Sequence, residues 1–224
     1  MARPANPALA LDIVRVTADL VEQKGPDQMT MREVAERLGY SATTIYLYYK
    51  DKDELLQATI DRAFDWFADD QDAAAEASVG VDVLRARARA YVLWALQHPN
   101  VYRLMFEHPQ RHSPERSHTR RRSLRHFAAS VQRLIDAGEL RCFENVDLMC
   151  NLVWATLHGL VSLIISGRMF GPIGESVSEE DAKVRIIAMV DASFEQWQRV
   201  WAVEPPATNE FGECGTGEGC DSPS

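Results

Sequence analysis

Nowhere in this sequence do apolar and polar residues alternate over the length of a strand, so neither a sandwich nor a parallel α/β sheet is expected. The chain also lacks a glycine loop that could cradle a phosphate, a His-Glu metal helix and a nucleophile elbow. Nucleotide hydrolysis, zinc proteolysis and acyl transfer are therefore without their usual groups, and no enzyme is expected. Cysteine is scarce: Cys142, Cys150, Cys214 and Cys220 are the four in 224 residues. Their spacing fits no zinc site, and a chain of this length needs no disulfide scaffold, so reduced thiols in a cytoplasmic protein are expected. Cys214 and Cys220 lack a third ligand, and neither a metal nor another cofactor is expected. The opening "MARPANPALALDIV" has no apolar core of signal-peptide length. No apolar run, "LVSLIISG" being the longest, approaches the roughly 20 residues that span a bilayer, so no membrane partner is expected. A surplus of positive charge is missing too: the net charge is −9. Five of those charges, Glu204, Glu210, Glu213, Glu218 and Asp221, lie in a tail without Lys or Arg, which leaves the rest closer to neutral.

Helical periodicity fills nearly all the remainder. Leu9, Ile13, Val16 and Leu20 recur at steps of four, three and four before Gly25-Pro26 stops the pattern. A long helix from about Asp51 carries Leu55, Leu56, Thr59, Ile60, Ala63, Phe64 and Phe67 into "DDQDAAAEAS". Leu84, Ala88, Tyr91 and Ala95 mark a helix that ends before Pro99, and "NVYRLMFEH" is a short one between Pro99 and Pro109. Leu124 through Ile135 stripe another, closed by Gly138, and two more run from about Asn145 to Ser166 and from Glu179 to Trp201. The fold expected is all-α. We divide it into a three-helix head over residues 1–53, a helical body over 54–203 and a disordered acidic tail over 204–224.

The stretch "MTMREVAERLGYSATTIYLYYKDKDEL" is the most specific. Thr30 and Glu33 have the spacing of a capping box, and Val34, Ala35 and Leu38 form the inner face of a short helix. Gly39 suits a turn that needs positive φ, Ser41 caps the next helix, and Ile45 returns to the core. Ala35, Gly39 and Ile45 thus have helix-turn-helix spacing. Ala42, Ile45 and Tyr49 then face inward, while Thr43, Thr44, Tyr46, Leu47 and Tyr48 face out. Threonine hydroxyls and methyls can meet base edges in a major groove, Leu47 a thymine methyl, and tyrosine hydroxyls phosphates. Asp51 and Glu54 cap the following helix, with Lys52 in its first turn as a phosphate clamp.

These residues resemble the N-terminal DNA-binding domain of the TetR family of one-component transcriptional regulators, from about Leu9 to Ile60. Ile45, Tyr46, Tyr49, Lys52 and Leu55-Leu56 occupy the family's recognition segment, with Tyr49 where Phe is usual. The resemblance implies phosphate contacts from Tyr46 and Lys52 and a base or backbone contact from Arg32. With Thr30, Ser41, Thr43, Thr44, Leu47 and Tyr48, these make up the expected contact set for a double-stranded DNA operator. "WATLHGL" resembles a Trp-x-x-x-His-Gly signature of one group of TetR ligand-binding domains, a likeness covering roughly residues 80 to 170. The function implied is a repressor that binds a palindromic operator as a homodimer and is released by a small apolar or aromatic effector. A helical small-molecule-binding protein or enzyme without DNA binding is the alternative.

Within the body, Tyr91, Trp94, Tyr102, Met105, Phe106, Phe127, Trp154 and His158 are the residues expected to line an effector cavity, with plain core packing as their other reading. The basic run "RHSPERSHTRRRSLRHF" is expected to be a solvated face. For the dimer, Ile187, Val190, Phe194, Trp197 and Trp201 form one seam. Val153, Leu157, Leu160 and Ile164 are expected to form the interface on the preceding helix, giving a four-helix bundle with a two-fold axis.

Overall fold

The computed structural model describes residues 6–109, 120–169 and 179–201, and those residues are helical with no strand among them. The acidic tail, Cys214 and Cys220, much of the Gly/Pro loop after Ser166 and residues 111–119 of the basic run lie outside the described residues. Among the described residues nine helices follow in order: α1 (Pro7–Lys24), α2 (Met31–Leu38), α3 (Ala42–Tyr46), α4 (Lys52–Glu76), α5 (Asp82–Gln97), α6 (Pro99–Glu107), α7 (Arg122–Asp136), α8 (Val146–Ile165) and α9 (Glu179–Trp201).

Local chemistry sets most of these ends. The Asn6 side chain accepts from the Ala8 amide ahead of Pro7, and α1 stops at Gly25 with φ 83°. Asn145 caps α8 by accepting from the Leu148 amide at 2.8 Å. Pro99 opens α6 directly after α5, because a proline tolerates the first helical position but not the interior.

α4 is the axis of the molecule. Its 25 residues rise about 37 Å at 1.5 Å per residue. Leu55, Leu56 and Ile60 near its start are buried with Ile13, Val34 and Ile45 of α1, α2 and α3. Phe64 and Phe67, further along, are buried with residues of α5, α6 and α7. The boundary expected between residues 53 and 54 therefore falls inside one continuous helix, and head and body share a rigid element.

α5 packs in turn against α8 and α9. Arg89 of α5 donates Nε and Nη2 to the two oxygens of Asp191 on α9 at 2.7 and 2.6 Å. The last helix corrects the expected seam. Ile186 rather than Ile187 is fully buried, and Val190, Phe194 and Trp201 are buried within the chain's own core, with Trp197 packed beside them. On α8, Val153 and Leu157 are also buried internally, and Leu160 and Ile164 are partly covered. Val153, Leu157, Val190, Phe194 and Trp201 are thus spent within the chain, Leu160, Ile164, Ile187 and Trp197 are partly covered, and a partner copy would also need faces that are bare.

Such faces are present. Leu148, Leu152 and Leu163 of α8 are exposed at 59, 61 and 44%, and Val184 and Val200 of α9 at 62 and 56%. α8 is predominantly apolar and, by length and composition alone, could cross a membrane, which the short runs in the sequence did not suggest. Only about a third of its apolar window is buried in its own chain.

Candidate functional site

The head is assembled from caps. Thr30 Oγ1 accepts from the Glu33 amide at 3.3 Å and Glu33 Oε2 accepts from the Thr30 amide at 3.1 Å, closing the capping box. Lys24 of α1 also donates to Glu33, and this bond together with that from the Thr30 hydroxyl at 2.8 Å holds the Glu33 carboxyl below its ordinary range. Gly39 ends α2 in the left-handed region at φ 72°. Ser41 Oγ accepts from the Thr44 amide at 3.3 Å, which starts α3 at Ala42.

α3 is shorter than the sequence pattern suggested. It ends at Tyr46, and Leu47 continues in a helical turn closed by the Tyr48 and Tyr49 amides on the Ile45 carbonyl, both at 3.0 Å. Thr43, Tyr46 and Leu47 stand outward, Leu47 with 77% of its surface free, while Ile45 is completely buried. A loose outer face on one fully buried anchor is what a groove-reading helix needs. Thr44 is half-buried and its hydroxyl lies 3.1 Å from Ser41 Oγ, so it belongs as much to the cap as to the reading face. Tyr48 is tied back, its hydroxyl accepting from the Asn6 amide at 3.0 Å. The extra oxygen of Tyr49 also finds a partner, donating to the Ala10 carbonyl at 3.3 Å. α1 is thereby stitched to α3 from both tyrosines.

Most cations around the head already have neighbours. Arg32 donates to Glu36 at 2.8 Å, Arg37 donates to Gln23, and the Lys52 ammonium donates to the Asp27 carbonyl at 2.8 Å. Lys52 sits in the first turn of α4, where Asp51 Oδ1 accepts from the Glu54 amide at 2.7 Å. A phosphate there would replace a carbonyl partner rather than meet a free ammonium.

The body holds a cavity of about 820 Å³ between α4, α5, α7 and α8. Of the eight expected lining residues, Tyr91, Phe106, Phe127 and Trp154 border it. Trp94 instead borders a second depression beside α1, and Tyr102, Met105 and His158 are not among the wall residues of the main cavity. Tyr102 and His158 form a relay behind the wall. The Tyr102 hydroxyl lies 2.7 Å from that of Tyr91 and 2.6 Å from His158 Nδ1. Burial raises both tyrosine pKa values and lowers that of His158, so each group stays neutral. Cys150, also in the wall, is pushed up to about 11 by burial and then by Asp147, which leaves its thiol unreactive.

Polar wall residues were missed from sequence. Gln71, Arg87 and Ser123 border the cavity, and so do Arg120, Arg121 and Arg125 of the run expected to be a solvated face. Arg87 could have been noticed, since it interrupts the apolar stripe of Leu84, Ala88 and Tyr91 at helical spacing. The arginines of the basic run could not, because only the approach of α7 to α4 brings them to the opening.

A short outward helix between two capped helix ends, on a long helix that also walls a cavity, defines the class: a helix-turn-helix regulator with a helical sensing body. Residues 13–59 match the family described as bacterial regulatory proteins, tetR family, and residues 84–187 match the tetracyclin repressor-like C-terminal domain. The chain belongs to the TetR family of transcriptional regulators. That family comprises DNA-binding transcription factors and not enzymes.

An uncharacterized HTH-type transcriptional regulator of Haemophilus influenzae is 40% identical over 65 residues, which cover 29% of this chain and about a third (35%) of that relative's length. A protein of unknown function from Rhodococcus sp. RHA1 has a similar fold, with a TM-score of 0.71 at 21% identity over 87% of this chain and 95% of the other. A TetR family transcription regulator from Marinobacter aquaeolei VT8 does too, with a TM-score of 0.62 at 18% identity over 88% and 97% of the two chains.

Proposed function

We propose that this protein is a cytoplasmic repressor that binds a palindromic operator as a homodimer and releases it when a small molecule enters the cavity between α4, α5, α7 and α8. The observation that carries this reading is the continuity of α4. Its first turn flanks the exposed α3, and its later turns supply Phe64, Phe67 and Gln71 to the cavity wall. A ligand that favours one position of α4 in the body biases the head through a single rigid element. The expected contact set of Thr30, Arg32, Ser41, Thr43, Thr44, Tyr46, Leu47, Tyr48 and Lys52 stands as our proposal for the DNA surface, with Thr43, Tyr46 and Leu47 at its centre.

Two heads are needed, because one helix of this length covers few base pairs. The proposed pairing surface is the bare face of α8 and α9, from Leu148, Leu152 and Leu163 to Val184 and Val200. Ala188 and Ala192 lie exposed between the two valines and allow close approach. Footprinting on the DNA upstream of its own coding sequence tests the whole reading. Two symmetric half-sites protected by a dimer are expected; a single asymmetric half-site, or no protected DNA, overturns it.

A further inference from the structure

We propose that the cavity takes a ligand with a carboxylate on an aromatic or acyl body, and that Arg87 receives the carboxylate. This rests on the cavity being the sensing site, and it specifies the class of molecule sensed. Arg87 is 6% exposed, borders the cavity, and donates Nη1 to Asp72 Oδ1 at 2.7 Å. Its buried Nε–H has no hydrogen-bond partner. Leaving a charged donor dry and unpaired is costly, and native structures seldom do so unless something else completes the site. A guanidinium offers more than one edge to acidic groups, and the edge that includes Nε is a bidentate seat for a carboxylate.

Charge favours an anion over a neutral acceptor. Arg87, Arg120, Arg121 and Arg125 border the cavity against one carboxylate, that of Asp147. Arg120 is engaged by Asp61 from behind at 2.9 Å, and Arg87 by Asp72. Asp72 does not cancel Arg87, because its two oxygens also accept from Arg122 Nη2 and His126 Nδ1, both at 2.9 Å. Asp72 is shared among three donors, of which Arg122 also meets Asp69 at 2.7 Å, so Asp72 satisfies Arg87 only in part. Next to this polar corner, Gln71 accepts from Ser123 Oγ at 2.7 Å. One turn away along the helices stand Phe67 and Tyr91, which with Phe106, Phe127 and Trp154 supply the apolar remainder. An amphiphilic acid fits both parts.

The arrangement also couples ligand to head. Asp72 lies on α4 and Arg87 on α5, so their ion pair ties the sensing body to the helix that starts beside α3. A ligand carboxylate on the Nε edge shares the guanidinium charge that holds Asp72 and loosens that tie.

The test is calorimetric titration of the full-length protein with 2-naphthoate and with dodecanoate, each against its carboxamide. The acids should bind about tenfold or more tightly than the amides, the range expected when a charge-assisted hydrogen bond is added. Arg87→Gln should bring the acid-to-amide ratio close to one. Arg87→Lys, which keeps charge without the fork, should fall between, and it serves if the glutamine variant does not fold. Asp72→Asn should strengthen acid binding by freeing Arg87. Equal affinity for acid and amide in the parent protein overturns the proposal. So does a ratio unmoved by either Arg87 variant, or a failure of both acids to bind. The titration contains no DNA, so any of these leaves the regulator reading standing if operator binding is found separately. Acid selectivity without operator binding sinks only the regulator reading.

Discussion

The Tyr102 hydroxyl and His158 Nδ1 lie 2.6 Å apart across 56 residues of chain, and they join α6 to α8 behind the cavity wall. A tyrosine hydroxyl has one hydrogen. If Tyr102 donates to the neutral imidazole, it accepts from Tyr91, and both hydroxyl hydrogens are used.

That relay predicts an acid-sensitive body. Burial depresses the His158 pKa below its ordinary 6.5, with Glu107 opposing. The folded ring is therefore neutral where the unfolded ring already binds a proton. Stability is full above that ordinary value, is lost as pH falls from it towards the lower folded value, and levels off beneath. Urea midpoints measured at about pH 7.5 and about pH 5.5 should differ, and His158→Gln should narrow the gap. Tyr102→Phe strands both neighbours and should cost about 1–3 kcal/mol at neutral pH.

Gly39 predicts a purely conformational effect. A methyl added there meets nothing within 4 Å, but φ is +72°. Gly39→Ala should destabilise by about 1–2 kcal/mol with no steric component, and Gly39→Asn by less, because asparagine tolerates this region. Thermal unfolding of the two variants checks the order. Equal losses would show that the turn is not strained by a side chain.

On the DNA surface, position and exposure separate two kinds of variant. Leu47→Ala and Thr43→Ala should change which base is preferred, with about 1–3 kcal/mol of discrimination lost at one position. Tyr46→Phe and Lys52→Ala should weaken binding to every sequence by a similar factor. Since Arg32, Arg37 and Lys52 already have protein partners, the salt dependence should be shallow for a DNA-binding dimer. Binding isotherms on a substituted operator series at several salt concentrations measure both.

The two faces of the C-terminal helices predict opposite outcomes for charge. Leu152→Glu, on the bare face of α8, should give a folded monomer with weakened operator binding, seen by sedimentation and circular dichroism. Phe194→Glu should instead unfold the chain, since Phe194 is 1% exposed and a buried unpaired carboxylate costs several kcal/mol. A folded Phe194→Glu monomer would return the interface to the inner seam.

The head was legible in sequence because its determinants are local. Thr30 with Glu33, Gly39, and Ser41 with Thr44 act within a few residues of one another, and hydrogen bonds of that range follow from residue type and spacing alone. The all-α class was legible for the same reason, since periodicity records which side of each helix avoids water. Which of two apolar sides meets the chain itself and which is left bare was not. α8 is predominantly apolar, and α9 carries Ile186 and Ile187 side by side, so a seam drawn from spacing could fall on either face. The packing of α9 on α5 decided it, by burying Ile186, Val190 and Phe194 and leaving Val184 and Val200 outside. The polar corner of the cavity depended on tertiary structure in the same way. Arg87, Asp72 and His126 come from three helices, and no spacing within one helix reports that a buried arginine has an acid beside it and one N–H to spare. Sequence alone determined where the chain is helical and how it is capped; the meeting of distant helices decided which faces are free and which charges are shared.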